Sequence, residues 1–416
     1  MITVIGLGFV GLTSALGFAE NGHKVFGFEK DKEKNEMLKN DQISFHEPYL
    51  LEKLKYHKNN RNFVLSENLR ESIIRSEVIL ICVGTPSSET GRVDLSQIKN
   101  VIKDISDIYF ESFKVICIKS TVPPSTINSE IIPYLNQLKK DFKNNLSIVH
   151  NPEFLREGYA WKDFINPDRI VIGSDDEQSK LIMNKIYKNF NAPIFNVNIT
   201  TSEFVKYASN TLLASLISFS NELEMIAYSI GNIDIKKSFE ILHKDSRWSG
   251  HPSLMSSYVY PGCGFGGYCL PKDIRAMIYK SQENNHDPKL LKEIIEINTK
   301  IRKFLLKRII NFISLEDKIC ILGLSFKPNS DDVRDSPSAW IIKDLIDKGF
   351  KNIIAYDPIA IDNFQNLYKF KIEYCHDFKK AVNESSIIIL ATAWEEFKKV
   401  KIQKTSQKIF DLRFFL

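Results

Sequence analysis

The sequence lacks a hydrophobic run long enough to span a bilayer, which takes about 20 consecutive apolar residues. It also lacks basic residues ahead of its N-terminal apolar stretch, whereas a secretory signal peptide begins with such residues. Charged residues make up 26% of the 416-residue chain. We therefore expect a globular, cytoplasmic protein without a membrane-bound segment.

Cysteine is sparse, and charge of one sign is nearly balanced by the other. The six cysteines include no CxxC pair and no Cys/His spacing typical of metal ligands. Cys82, Cys117 and Cys320 lie inside apolar runs, where buried thiols are common. The net charge is only +5, and the lysines are scattered among acidic residues. This composition predicts no disulfide framework, no metal and no nucleic-acid partner.

A glycine-rich turn at residues 6–11, Gly-Leu-Gly-Phe-Val-Gly, follows the apolar run Ile2–Ile5 and precedes a helical pattern. In such a turn the first glycine permits the bend, the second lets a pyrophosphate approach the backbone, and the third allows close helix packing. A second strand-like run ends in Glu29, whose carboxylate can bind both ribose hydroxyls and would repel a 2'-phosphate. These features predict NAD rather than NADP. The residues assigned to it are Gly6, Gly8, Phe9, Val10, Gly11, Glu29 and Lys34.

Apolar runs at residues 78–83 and 114–118 alternate with helical patterns, as a parallel doubly wound sheet requires. Each run ends in a polar turn, and ligands bind at the carboxyl ends of such strands. We therefore expect these turns to contact the dinucleotide through Gly84, Thr85, Pro86 and Thr121.

A helical pattern without proline or internal glycine covers residues 200–230 and stops before Gly231. So long a helix is typical of a domain connector and often of a subunit interface, so a homodimer is expected. Apolar runs at residues 318–326, 352–357 and 386–392 again indicate buried parallel strands. The predicted fold is α/β, with two Rossmann-like doubly wound domains joined by a long central helix and a helical dimerisation core. The predicted boundaries are 1–197 for the NAD-binding domain, 198–313 for the helical domain and 314–416 for the second Rossmann-like domain.

Cys269 ends a glycine-rich run that begins at Pro261, and Lys272 and Asp273 follow it closely. Oxidation of an alcohol to an acid takes two hydride transfers, and an aldehyde has no hydride to give until a nucleophile has added to it. Cys269 is suited to be that nucleophile, since its adduct can become a thioester that water cleaves. The alternative is a thiol that packs behind a glycine turn, which is the interpretation that fits Cys263.

Lys206 and Asn210 lie four residues apart on the predicted long helix, so their side chains share one face. Together they could stabilise an oxyanion, and Lys206 could also exchange protons. By pattern alone, a solvated lysine and a surface asparagine are equally compatible with this spacing.

Further motifs follow the glycine turn along the chain. They are Cys-Val-Gly-Thr-Pro at 82–86, Ser-Thr-Val-Pro-Pro at 120–124, Asn-Pro-Glu-Phe-Leu-Arg-Glu-Gly at 151–158, Lys-Tyr-Ala-Ser-Asn at 206–210, the run 261–273 and Gly-Leu-Ser-Phe-Lys-Pro at 323–328. In this order, and across essentially the whole chain, they resemble the UDP-glucose/GDP-mannose dehydrogenase family. The resemblance implies an NAD domain, a helical dimerisation core and a nucleotide-sugar domain. It also implies that a primary alcohol on a sugar is oxidised to a carboxylate, with two NAD reduced per turnover.

The resemblance assigns roles to individual residues. Glu153 serves as the base in thioester hydrolysis, and Thr121 and Asp273 position the water. The alternative roles are an ordinary loop hydroxyl for Thr121 and a helix N-terminal cap for Asp273. The implied catalytic set is Cys269, Lys206, Asn210, Asp273, Glu153 and Thr121.

Nucleotide-sugar binding is implied for a second set of residues. Its members are Phe154, Leu155, Arg156, Glu157, Lys206, Asn210, Arg247, Tyr258, Gly266, Lys327 and Arg413. Arg247 matches an arginine that reaches the sugar from the neighbouring subunit. Otherwise Arg247, Lys327 and Arg413 are three of 56 basic residues, most of which solvate a surface.

Departures from the family pattern bear on the substrate. Leu270, Ser325, Ser125 and Trp248 replace residues that are more frequent at these positions. Residues 256–276 also resemble the GDP-mannose branch, whereas 151–158 and 166–173 are most similar to the UDP-glucose branch. UDP-glucose is therefore the expected substrate and UDP-glucuronate the product, with GDP-mannose or a UDP-N-acetylhexosamine as alternatives. A hydroxyacid-type dehydrogenase that makes one hydride transfer and a non-catalytic nucleotide-binding regulator are the remaining alternatives.

Overall fold

The computed structural model describes residues 1–138, 145–245, 261–283, 287–400 and 407–416. The chain divides into two compact units. Unit 1 comprises Met1–Ala208 with Arg275–Asn284, and unit 2 comprises Ser209–Ile274 with Asn285–Leu416. Each unit is built on its own sheet with helices around it, so the predicted α/β class with two Rossmann-like sheets is confirmed.

The sheet of unit 1 has the strand order β3-β2-β1-β4-β5-β6-β7-β8. Its strands are β1 (Ile2–Ile5), β2 (Val25–Phe28), β3 (Phe63–Leu65), β4 (Val78–Ile81), β5 (Lys114–Ile118), β6 (Leu146–His150), β7 (Ile170–Gly173) and β8 (Ile194–Val197). All neighbours pair in parallel except β6 and β7, which meet in antiparallel orientation at His150 and Gly173. The prediction of a parallel sheet is therefore confirmed for β1 to β6 and for the β7–β8 pair, but not for the junction between β6 and β7.

Both faces of this sheet are covered by helices, which explains why its strands are apolar without alternation. Val4 and Leu80 point into one core cluster, and Ile5 and Ile81 point into the other. The helices are α1 (Phe9–Glu20), α2 (Lys32–Lys39), α3 (Leu50–Asn59), α4 (Leu69–Arg75), α5 (Ser96–Ser106), α6 (Ile132–Leu138), α7 (Ala160–Ile165) and α8 (Glu177–Tyr187). A π-helical turn, Ile127–Ile131, leads directly into α6.

The long helix α9 (Ile199–Ile230) has 32 residues and ends at Gly231, which has a φ of +79°. The predicted helix over 200–230 is therefore confirmed. The division between the two units falls within α9, after Ala208.

Unit 2 contains a parallel sheet with the order β11-β10-β9-β12-β13. Its strands are β9 (Ile319–Leu322), β10 (Ile353–Tyr356), β11 (Glu373–Tyr374), β12 (Ile387–Leu390) and β13 (Lys408–Asp411). The helices that follow α9 are α10 (Ile235–Leu242), α11 (Cys269–Glu283), α12 (Lys289–Ile310), α13 (Pro337–Asp347), α14 (Ile361–Tyr368) and α15 (Phe378–Asn383), and a 3-10 turn covers Glu395–Lys399. One core cluster joins the strands to α12 and α13.

Within the described ranges, no helix combines the length and the hydropathy that crossing a membrane requires. The cytoplasmic location and the three domain boundaries that the sequence indicates stay predictions.

Candidate active site

The three glycines of the N-terminal turn have three different surroundings. Gly6 has a φ of +86°, a conformation that favours glycine at the bend between β1 and α1. A Cβ atom on Gly11 would lie 1.8 Å from the carbonyl oxygen of Gly6, so α1 can pack against the turn only without a side chain there. A Cβ atom on Gly8 would meet nothing within 4 Å. Gly8 therefore leaves its backbone open to a pyrophosphate, as the sequence predicts, and this turn fits a dinucleotide.

Glu29 follows β2 and turns back to the same glycine turn. One carboxylate oxygen accepts a hydrogen bond from the N–H of Leu7 at 2.7 Å, and the other accepts from the N–H of Asp31 at 3.0 Å. Asp31 in turn caps α2 by accepting from the N–H of Lys34. The fold thus holds a half-buried carboxylate beside the glycine turn, where a ribose of the dinucleotide would lie.

The two polar turns predicted to contact the dinucleotide are joined by hydrogen bonds. Thr85 donates its hydroxyl to the carbonyl of Thr121 at 2.9 Å, and Ser120 donates to the carbonyl of Val83 at 2.7 Å. Because β4 and β5 are neighbours, both turns lie at the same edge of the sheet. Gly84 is held separately, since its N–H donates to the side chain of Gln97.

Glu153 and Lys206 form a buried ion pair in unit 1. The Lys206 ammonium lies 3.0 Å from a Glu153 oxygen, and the two side chains are only 6% and 10% exposed. The other Glu153 oxygen accepts from the N–H of Leu155 at 2.6 Å. A buried cation beside a buried carboxylate is costly unless the two are paired, and the 3.0 Å contact provides that pairing. Lys206 is therefore not the solvated surface lysine that its pattern alone allowed.

Arg156 has a partner of its own in unit 1. Its guanidinium donates two hydrogen bonds to the carboxylate of Asp163, at 3.0 and 2.7 Å. Phe154 lies under the guanidinium of Arg169, at 4.0 Å from its ring centroid. Leu155 packs against the core of unit 1. Phe154, Leu155 and Arg156 thus form a fixed segment directly after Glu153.

Two buried charged side chains of unit 1, Lys119 and Glu203, were missed by the sequence analysis. Lys119, which is 3% exposed, donates to the side-chain oxygen of Asn151 at 3.0 Å, and burial lowers the pKa of its ammonium. Tyr187 donates to the same Asn151 oxygen at 2.5 Å. Lys119 stands directly before the turn that carries Thr121, but one lysine after an apolar strand gives no sign of burial in the sequence.

Glu203 is the second of these groups, and it is fully buried on α9. Its two carboxylate oxygens accept from the N–H groups of Ser125 and Ile127, at 2.6 and 2.9 Å. Ser125 has a φ of +73°, which is the conformation that favours the glycine more frequent at this position. Burial raises the pKa of Glu203 to about 7, although both N–H groups favour its charged form. Glu203 therefore ties the turn that carries Thr121 to the helix that carries Lys206.

In unit 2, Asp273 binds two of its predicted neighbours. Lys272 donates to one of its oxygens at 2.6 Å, and the side-chain amide of Asn210 donates to the other at 2.5 Å. Burial acts to lower the pKa of Lys272, but the charge and hydrogen bond of Asp273 raise it overall. The alternative role of Asp273 as a helix cap is wrong, because α11 begins at Cys269 and Asp273 lies within its second turn.

The glycines before Cys269 are required by the protein's own packing. A Cβ atom would lie 2.7 Å from the Leu412 carbonyl oxygen at Gly262, and 2.1 Å from that of Asp335 at Gly266. Gly267 has a φ of +77° and packs against the Phe326 ring. The sequence analysis did not foresee that the protein's own packing requires these glycines.

Cys269 is the exposed member of the six cysteines, all of which lie in described residues and none of which is in a disulfide. It is the first residue of α11, and thiolates are stabilised at helix N-termini. By contrast, burial raises the pKa of the Cys82 and Cys117 thiols to about 12, and Cys263 is 1% exposed. The structure thus separates one accessible thiol from five that are less exposed.

Arg413, which the sequence predicts to bind the nucleotide sugar, is hydrogen-bonded to backbone carbonyl groups. Its guanidinium donates to the carbonyl of Ala391 at 2.7 Å and to that of Gly264 at 3.2 Å. Lys327 is half-buried and lies over the Phe326 ring. Arg247 and Tyr258 lie outside the described residues. The described residues contain no group of three or more histidine, cysteine, aspartate or glutamate side chains that could hold a metal ion.

Comparison with known protein families gives three consecutive matches. They are the NAD binding domain of the UDP-glucose/GDP-mannose dehydrogenase family over residues 1–191, its central domain over 200–300 and its UDP binding domain over 320–416.

Individual relatives agree with these matches. The UDP-glucose 6-dehydrogenase TuaD of Bacillus subtilis is 35% identical over 405 residues, which are 97% of this chain and 86% of TuaD. The structure of a UDP-glucose dehydrogenase from Pyrobaculum islandicum superposes with a TM-score of 0.91 at 30% identity, covering 100% of this chain and 94% of that one. A UDP-D-ManNAc dehydrogenase from Pyrococcus horikoshii superposes with a TM-score of 0.81 at 27% identity, covering 96% and 91%. This chain belongs to the UDP-glucose/GDP-mannose dehydrogenase family and is an NAD-dependent nucleotide-sugar dehydrogenase.

Proposed function

We propose that this protein oxidises the C6 alcohol of UDP-glucose to the carboxylate of UDP-glucuronate through a covalent adduct on Cys269. The observation that carries the proposal is the exposure of Cys269 at the first residue of α11, with the buried Lys272–Asp273 pair one turn further on. An accessible thiol beside a fixed cation and carboxylate suits nucleophilic catalysis.

The first oxidation makes an aldehyde and needs no thiol. The alcohol passes its proton to the carboxylate of the Glu153–Lys206 pair, and Glu153 releases this proton to solvent before the hydrolysis step. Lys206 and Asn210 stabilise the alkoxide as the carbon gives up its hydride. The glycine turn and Glu29 would hold two NAD molecules in turn, and each would supply the hydride acceptor for one oxidation.

The second oxidation requires Cys269. Its sulfur adds to the aldehyde carbon to form a C–S bond, and the resulting oxyanion is stabilised by Lys206 and Asn210. Loss of the second hydride converts this thiohemiacetal into a thioester.

Hydrolysis completes the cycle. Glu153 deprotonates a water that Thr121 and Asp273 position, and its attack breaks the C–S bond. The products are the carboxylate and the free thiol.

We further propose that the nucleotide sugar is bound by the residues assigned from the sequence. They are Phe154, Leu155, Arg156, Glu157, Lys206, Asn210, Gly266, Lys327 and Arg413, with Arg247 from the neighbouring subunit and Tyr258. Backbone N–H groups and cations are what a diphosphate requires.

A homodimer is supported by the outer face of α9. Phe204, Leu212 and Phe219 lie eight and seven residues apart, so they follow one another along one side of the helix. Their exposed fractions are 53, 55 and 51%. A stripe of exposed large apolar side chains marks an interaction site, and a second copy of the same helix is self-complementary to it.

UDP-glucose is favoured because TuaD and the Pyrobaculum islandicum protein carry that name. The similarity to a UDP-D-ManNAc dehydrogenase supports a UDP-N-acetylhexosamine as the second candidate.

The test is to count NADH formed per sugar consumed, with limiting UDP-glucose, GDP-mannose and UDP-N-acetylhexosamines in parallel. Two NADH per UDP-glucose is the expected result, since both oxidations occur on one enzyme. Two NADH from another sugar alone would overturn the substrate but keep the mechanism. One NADH per sugar would support the hydroxyacid-type alternative, and none from any sugar would support the regulator.

A further inference from the structure

The backbone of Phe265, four residues before Cys269, is held by both ends of one side-chain amide. Asn298 on α12 accepts from the N–H of Phe265 at 2.8 Å and donates to its carbonyl oxygen at 2.9 Å. Asn298 is 6% exposed, and its amide takes the place that a neighbouring strand would take. Two bonds to one residue fix the direction of its peptide groups, which a single bond would leave free to rotate.

Further contacts hold the same loop. Arg302, one turn along α12, donates to the same Phe265 carbonyl at 2.9 Å. Its guanidinium also bonds to Asp335 at 3.3 Å and lies over the Trp340 ring. Gly264 has a φ of +83°, and a Cβ atom there would lie 2.3 Å from the Asn298 oxygen. No side chain fits between the loop and α12 at this point.

The chain between Phe265 and Cys269 is held from the opposite side as well. The N–H of Gly267 donates to the carbonyl of Arg334 at 2.8 Å. Arg334 also lies over the ring of Tyr268, at 4.3 Å from its centroid. Since α11 begins directly after Tyr268, the place of the Cys269 sulfur follows from how Phe265 is held.

We infer that Asn298 is a positioning residue that holds the Cys269 thiol where it can add to the aldehyde before the aldehyde escapes. The inference rests on the proposed function, because it assigns a purpose to the covalent step. Nothing in the first oxidation requires the thiol, so a displaced Cys269 would still allow the aldehyde to form. Weaker hydrogen bonds between Asn298 and Phe265 therefore increase the fraction of aldehyde that is released instead of captured by Cys269.

The variant that tests this is Asn298→Asp. The carboxylate still accepts from the Phe265 N–H, but its second oxygen now faces the Phe265 carbonyl and cannot donate to it. We expect NADH per UDP-glucose to fall from two towards one, with the released aldehyde trapped by hydroxylamine. The KM for NAD should stay within about twofold of wild type, because the glycine turn is untouched.

Ile309→Val is the matched control. Ile309 lies on the same helix, is 1% exposed and belongs to the core of unit 2 rather than to the loop contacts. This change lowers stability and thereby the active fraction, but it leaves the NADH count per sugar at two. Arg302→Lys is a second variant in case Asn298→Asp does not fold, and it should release less aldehyde because the Asn298 amide remains.

Hydrogen exchange at the amide of Gly267, two residues after Phe265, gives a readout that is independent of catalysis, because the Phe265 N–H keeps its acceptor in Asn298→Asp. Faster exchange in Asn298→Asp with a count still at two would overturn the positioning role. Unchanged exchange together with an unchanged NADH count would show that the Asn298–Phe265 hydrogen bonds do not hold the loop, which would overturn the inference. If wild-type protein fails to form two NADH, the proposed function falls and the positioning role falls with it, while the exchange result still decides whether Asn298 holds the loop.

Discussion

Gly8 and Gly11 serve the same turn for different reasons, and alanine substitutions separate the two. Gly8→Ala adds a methyl group where nothing lies within 4 Å, so we expect unchanged unfolding and a KM for NAD raised about tenfold, as the pyrophosphate can no longer approach. Gly11→Ala places a Cβ atom 1.8 Å from the Gly6 oxygen and should lower the free energy of unfolding by about 3 kcal/mol.

Urea unfolding and NAD titration of both variants check this pair. Equal losses of stability in the two variants, or NAD binding by Gly8→Ala at wild-type strength, would contradict the assignment of Gly8 to the dinucleotide.

Glu29 provides a second test at the scale of one residue. In Glu29→Gln the amide lacks the charge that favours ribose hydroxyls, and its NH2 group cannot accept a hydrogen bond, so either the Leu7 or the Asp31 N–H loses its acceptor. We expect the KM for NAD to rise about tenfold, which is roughly 1.4 kcal/mol, and the preference for NAD over NADP to shrink. Steady-state kinetics with both dinucleotides measure this. Glu33→Gln, on exposed α2, is the control. An unchanged KM for NAD would refute the role of Glu29.

Individual residues could be predicted from the sequence where their role depends only on neighbouring positions in the chain. The φ and spacing demands of Gly6 and Gly11 arise within one turn, so a pattern reveals them. The partners of Lys119, Glu203 and Asn298 lie 32, 76 and 33 residues away along the chain. No spacing rule links residues so far apart, so their burial and their roles emerged only from the folded chain.

At the scale of elements, Glu203 couples α9 to the turn before α6, and this coupling should depend on pH. Burial raises the pKa of Glu203 to about 7 from its ordinary value of 4.5, and the charge of Asp175 also raises it. The N–H groups of Ile127 and Ser125 and the charge of Lys280 act in the opposite direction. Because the folded state binds this proton more tightly, the stability it contributes is complete below pH 4.5 and is lost as the pH rises through 7.

Urea unfolding of wild type and Glu203→Gln between pH 4.5 and 8 measures this effect. Since glutamine cannot titrate, the wild type should lose stability relative to the variant across this window, by on the order of 3 kcal/mol. Glu177→Gln is the control, because the Glu177 side chain is 83% exposed. Parallel stability curves for wild type and Glu203→Gln would contradict the raised pKa.

Elements were predicted well where one pattern dominates. The apolar runs became β1, β4, β5, β9, β10 and β12, and the helix predicted over 200–230 starts one residue earlier, at Ile199. The orientation of β7 was not foreseen, because a buried strand has the same apolar composition in either direction. The start of α11 was also missed, since the glycine run suggested a loop up to Asp273.

At the scale of the whole molecule, the exposed stripe on α9 predicts a dimer. Phe219→Glu places a charge within the apolar stripe, so we expect it to convert a dimer into monomers. Sedimentation velocity distinguishes the two states. Phe195→Glu is the matched control, since Phe195 is also 51% exposed but lies on β8 rather than on α9. A dimer that survives Phe219→Glu, or a wild-type monomer, would contradict the proposed interface.

The order of motifs along the whole chain gave the family before any coordinates, and the three domain matches agree with it. Arg247 and Tyr258 lie outside the described residues, so their roles stay predictions. The identity of the sugar depends on pocket shape rather than on the motifs shared by the family. It therefore has to be measured.

The central claim is that acid formation passes through the thiol of Cys269. The most direct measurement is the yield of UDP-glucuronate from Cys269→Ser. Binding of NAD and of UDP-glucose is determined in parallel. The control is Cys263→Ser, which changes the buried thiol of the same loop. We predict that acid formation falls at least about 1000-fold while both ligands bind as in wild type, since a serine hydroxyl is a far weaker nucleophile at neutral pH. Acid formation by Cys269→Ser at the wild-type rate would contradict the account.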